Sequence, residues 1–126
     1  MKLAGVRRQL EDAARLLGEA QARSDAGDDE EAYKAAQASR NELFHAMRAL
    51  AHARGDEPPE VPQVGVPGGD LAAFSDAQQA FTDAFALDDD REMVTPLVRV
   101  KLAYGRVLGV LRERAFAKRL ASDTPR

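Results

Sequence analysis

His45 and His52 are the only imidazoles in a chain of 126 residues, and they stand seven positions apart in a stretch of helix-forming residues. That spacing puts both on one helical face, with Asn41 one turn before the first. A metal centre needs three or four ligands, each oriented by further hydrogen bonds. No carboxylate completes an HExxH pattern around either histidine, so no metal ligand set is assigned and no cofactor is expected. The run Asp88-Asp89-Asp90-Arg91-Glu92 starts like a calcium loop. Its sixth position is Met93 where the loop needs glycine, and its twelfth is Arg99 where it needs a chelating glutamate. What remains is a solvated acidic connector that favours a following helix N-terminus. Asp76, Asp83 and Asp90 recur every seven residues and read as the polar face of one helix. The ExxE spacing from Glu57 to Glu60 falls among prolines. Gly65, Gly68 and Gly69 surround a proline and lack the lysine of a phosphate loop. The absence of cysteine removes disulfides, thiolate metal sites and cysteine nucleophiles.

One cluster could cut a phosphodiester. Arg40-Asn41-Glu42-Leu43-Phe44-His45 resembles the Arg-polar-x-x-x-His motif of HEPN-type ribonucleases, small helical bundles that dimerise. The resemblance implies that Arg40 contacts phosphate and His45 transfers protons, with the residues of two chains meeting at the site. The alternative is a solvent-facing Arg and His that flank a core leucine, Leu43. A second stretch, Gly27 to Ala32, resembles the turn and second-helix start of a tetratricopeptide repeat. No further copy follows at the repeat's period.

The elements that hold these residues are helical. The chain has 24 alanines, 13 leucines and no isoleucine, a composition that favours helix over strand. Apolar spacings of three and four predict helices at about 2–25, 29–54, 70–87 and 96–121. Gly27 stops the first helix, Asp28 caps the second with Glu31 as its capping-box partner, and Gly55 ends it. Asp70 is expected to cap the third helix and Thr95-Pro96 to open the fourth. Residues 55–69, GDEPPEVPQVGVPGG, form a Pro/Gly-rich connection long enough to cross a bundle or to turn back. The tail, 122–126, is expected to fray. The fold expected is an all-α, four-helix bundle in one domain, two helical hairpins joined by that connection.

The core stripes are Leu3, Val6, Leu10, Ala13, Leu17 and Ala20 on the first helix, and Ala32, Ala36, Ser39, Leu43, Ala46, Leu50 and Ala53 on the second. Tyr33, Phe44 and Met47 widen the latter. The third helix carries Leu71, Phe74, Gln78, Phe81 and Phe85. The fourth has two apolar arcs. Leu97, Val100, Tyr104, Val107, Leu108, Leu111 and Ala115 make one, and Val98, Leu102, Gly105, Gly109, Phe116 and Leu120 make the other. Two arcs imply neighbours on two sides, and glycines four apart allow a close helix approach.

Charge is uneven. Residues 55–95 hold ten acidic side chains and one basic, while residues 96–126 hold eight basic and two acidic. Mutual neutralisation across a helix pair accounts for this. A basic face of Arg112, Arg114, Lys118 and Arg119 that meets nucleic acid or an acidic protein is the sharper alternative. A pI near 5.4 lies below the range of dedicated nucleic-acid binders. The N-terminal stretch has no apolar signal region, and no segment is long and apolar enough for a membrane, so a cytoplasmic location is expected. Together these readings point to a small non-enzymatic interaction or structural module. It is expected to form a homodimer through Val98, Leu102, Gly105, Gly109 and Phe116. The HEPN-like nuclease is the second reading and nucleic-acid binding the third.

Overall fold

A computed structural model describes the backbone of residues 3–55 and 70–123, with side chains through Arg119. Residues 1–2, 56–69 and 124–126 and the side chains of residues 120–123 lie outside the described residues, and with them the expected Pro/Gly-rich connection, the expected frayed tail and Leu120 of the second α4 arc. The chain forms helices α1 (Ala4–Asp25), α2 (Asp29–Arg54), α3 (Ala73–Phe85) and α4 (Val94–Asp123), and Asp90–Met93 makes a 3-10 turn before α4. No strand occurs among the described residues. The result is an all-α four-helix bundle.

Gly27 makes the first turn tight. At φ +80° its N–H reaches the Ser24 carbonyl at 3.0 Å, and the Asp28 N–H reaches that of Arg23 at 2.9 Å. This pair of bonds satisfies the last carbonyls of α1 and reverses the chain. α2 therefore packs antiparallel along α1. α3 packs on α4, and α4 packs on α2. Ion pairs fix the directions. Glu30 meets Arg119 and Lys101 lies over the Phe44 ring, so α4 runs antiparallel to α2. Asp70 meets Arg106 and Asp83 meets Arg99, so α3 also runs antiparallel to α4. α3 is thus parallel to α2, one of the two directions that the sequence left open; the connection between them lies outside the described residues. Asp70 stands level with the middle of α4, whose second half extends beyond α3.

Leu10, Leu17, Leu43, Leu50, Leu97 and Leu111 are fully buried, with Phe74 and Tyr104. Each such side chain contributes about 1.5–3 kcal/mol through loss of water contact. Ala13, Ala20, Ala32, Ala36 and Ala46 are buried beside them, and their small size lets α1 and α2 approach closely.

Four local expectations need correction. Asp28 precedes α2, but its side chain makes no cap hydrogen bond; it lies 3.7 Å from Arg23, and Glu31 faces Lys34 at 3.4 Å. Asp70 does not cap α3, which starts at Ala73. Both its oxygens instead face Arg106, a charged donor that outcompetes a neutral backbone N–H. Thr95 does not open α4, which starts at Val94. Pro96 fits the first turn because its nitrogen needs no partner there. On α3, Gln78 is exposed and Leu71 and Phe85 are half-buried, while Ala73, Ala77, Ala80 and Ala84 are buried around Phe74 and Phe81. The alanines rotate the helix because four of them together supply a full packing face.

The fifth correction is the acidic connector. Asp88 is exposed, but Asp90 is wholly buried and Met93 lies in the core. Asp90 does not continue the polar face of α3. Arg7 supplies its counter-charge at 2.6 Å.

Candidate functional site

Among the described residues three large apolar side chains are exposed, and all three belong to α4: Val98 at 41%, Leu102 at 65% and Phe116 at 62%. Gly105 and Gly109, expected on the same face, are buried within the single chain. They divide that face into two parts. Val98 and Leu102 occupy the half beside α3. Phe116 stands fourteen residues beyond Leu102, about 21 Å along the axis.

Leu102 sits over a shallow cavity of about 340 Å3 bordered by Ala103, Asp76, Gln79, Arg99 and Arg106. Arg99 donates to Asp83 at 2.7 Å. Arg106 donates to Asp76 at 2.7 Å and to Asp70 at 2.8 Å. The Arg99 hydrogen bond holds the Asp83 carboxyl below its usual value, aided by one from Gln79. The Asp76 and Asp70 hydrogen bonds raise the already high value of Arg106. These acidic and basic side chains neutralise each other across α3 and α4, as the charge distribution suggested.

The basic end of α4 is partly committed. Lys118 donates to the Gly27 carbonyl and lies 3.3 Å from the Asp29 carboxylate. Arg119 donates to Glu30 at 2.5 Å, which lowers the Glu30 carboxyl below its usual value. The first turn of α2 carries Asp29, Glu30 and Glu31; these acids complement the positive N-terminal end of the α2 dipole, and the cations of α4 in turn complement the acids. Arg112 and Arg114 are exposed. The Asp29 Oδ1 is buried without a hydrogen-bond partner.

Beside this junction lies a cleft of about 220 Å3, lined by Glu30, Tyr33, Lys34, Arg112, Ala115, Phe116 and Arg119. Sequence reading identified Tyr33 as widening the α2 stripe and Phe116 as part of the α4 arc. It did not bring them together, because the helical period gives each face but not the register between helices.

Arg40, Asn41 and His45 are not assembled within the chain. Asn41 and His45 are exposed, whereas Arg40 is half-buried, with its Nε buried and unpartnered. Five residues of helix rotate His45 about 140° from Arg40. His52 is also exposed. No set of three His, Asp or Glu side chains that could hold a metal occurs among the described residues. No helix among them is long and apolar enough to cross a membrane.

No protein-family model, curated protein or solved structure matches this chain.

Proposed function

We propose that the chain is a helical interaction module that self-associates through the half of α4 carrying Val98 and Leu102. The supporting observation is Leu102, an apolar side chain 65% exposed inside a ring of ion pairs. An apolar centre with a polar rim is the anatomy of a protein interface. The rim carries Arg99 and Arg106 against Asp70, Asp76 and Asp83, so it is close to neutral. Two copies can meet there without like-charge repulsion, whereas a basic face would select an acidic partner. That half of α4 spans about 22 Å, and a face about 10 Å wide gives about 450 Å2 over two partners, well under a standard interface, so the contact expected is weak and transient.

Light scattering across a concentration series tests the reading. A mass that rises from 13.7 kDa toward twice that value, and stays at the monomer value in Leu102→Glu, supports it. A monomer at every concentration overturns it.

A further inference from the structure

We propose that the cleft between the first turns of α2 and the last turns of α4 binds a small aromatic carboxylate. This site is separate from the Leu102 face and does not depend on self-association. Two aromatic rings, Tyr33 and Phe116, line one cleft of about 220 Å3. That volume is below the ~300–1,000 Å3 of sites for drug-sized ligands, which suits a ligand built on one ring. Phe116 is 62% exposed, so a flat apolar body laid against it removes ring surface from water. Offset or edge-to-face contact with Tyr33 adds directional preference.

Charge selects the other end of the ligand. The lining contains Lys34, Arg112 and Arg119 against a single carboxylate, Glu30. Arg119 is committed to Glu30 at 2.5 Å, and Lys34 faces Glu31 at 3.4 Å. Arg112 has no carboxylate partner among the described residues. One uncommitted guanidinium matches one monoanion, and its planar fork fits a carboxylate through two parallel hydrogen bonds. A cation or a neutral aromatic would leave Arg112 unanswered.

The test is a titration of the full-length chain with sodium phenylacetate, followed by amide chemical shifts. Shifts confined to residues 30–34 and 112–119 are expected, with a dissociation constant on the order of 1 mM for a ligand of this size. Arg112→Gln should weaken binding about tenfold, the worth of a charged hydrogen bond. Phe116→Ala should weaken it comparably, whereas Arg114→Gln, outside the lining, should not. Benzyl alcohol, which keeps the ring and lacks the charge, should bind at least about tenfold more weakly. The proposal fails if phenylacetate moves no resonance at about 20 mM. It also fails if Arg112→Gln binds like the parent chain, or if the alcohol binds as well as the acid.

Discussion

Arg7 Nε donates to Asp90 Oδ1 at 2.6 Å across 83 positions of sequence, and through this bond the first turn of α1 grips the turn that joins α3 to α4. The other Asp90 oxygen accepts from the Leu3 N–H, and Arg7 also donates to the Leu87 carbonyl at 2.6 Å. The carboxylate is wholly buried, while about a fifth of the Arg7 side chain reaches solvent.

Asp90→Ala removes the counter-charge of Arg7, which keeps only its bond to the Leu87 carbonyl, and leaves the Leu3 N–H without its acceptor. The expected loss is about 3 kcal/mol, at the low end for breaking a buried pair because Arg7 is partly hydrated. Urea unfolding measures it. The double variant Arg7→Met, Asp90→Leu should recover part of that loss, since no buried charge is then stranded. A loss below about 1 kcal/mol in Asp90→Ala would show that the pair is dispensable.

The hydroxyl pair in the core predicts an asymmetry. Ser39 Oγ donates to the Ala13 carbonyl at 2.5 Å, so the Tyr104 hydroxyl donates to Ser39. Tyr104→Phe deletes only the outer donor and should cost about 0.5–1.5 kcal/mol. Ser39→Ala strands the buried Tyr104 hydroxyl and should cost about 2 kcal/mol, while the Ala13 carbonyl keeps its α-helical hydrogen bond. Equal costs in thermal unfolding would contradict this donor order.

Stability should fall at both ends of the pH scale. Asp83 and Glu30 are held below their ordinary values of 3.8 and 4.5, so the unfolded chain takes up these protons first. Their contribution is complete above about pH 5, fades as the pH falls through their folded values, and shrinks with added salt because both groups are solvent-exposed. Burial raises Tyr104 above its ordinary value of 10.0. Its contribution is complete below about pH 10 and is lost as the pH climbs beyond, where only the unfolded chain ionises. Unfolding of Tyr104→Phe and Arg99→Gln across pH separates the two limbs. Tyr104→Phe should flatten the alkaline limb alone, and Arg99→Gln the acid limb alone.

Leu102 and Gly109 should fail in different ways. Leu102 is exposed, so Leu102→Glu should change the solution mass and shift stability by less than about 0.5 kcal/mol. Gly109 is buried, so Gly109→Leu should destabilise the monomer by about 1–3 kcal/mol through overpacking. Thermal unfolding at two protein concentrations distinguishes a monomer defect from an association defect.

Most of the bundle was legible because large apolar residues at helical spacing have one low-energy use. Leu10, Leu17, Leu43, Leu50, Leu97 and Leu111 went where their period put them. The positions that escaped were those where a tertiary partner outcompeted a local one. Asp70 carries the chemistry of a cap, but its carboxylate faces Arg106, an arginine on another helix that local sequence cannot place. Asp90 sits in a run of acids that resembles solvated chain, and the counter-ion that buries it is 83 residues away. On α4 the period identified the second arc but not its division into buried glycines and exposed Val98, Leu102 and Phe116. The cleft had no local signature at all, since its two rings come from helices whose register appears only on packing.

α3 first meets α4 near Arg106, and Leu111 is the last described residue of α4 that is buried. From Arg112 onward the helix is moored mainly by charge, through Lys118 to Asp29 and Arg119 to Glu30. Such moorings weaken as counter-ions accumulate, whereas the apolar contacts of the lower turns do not. The ordered length of α4 is therefore expected to shorten as ionic strength rises. Amide protons in its last two turns should exchange faster in concentrated salt, while those around Tyr104 remain protected.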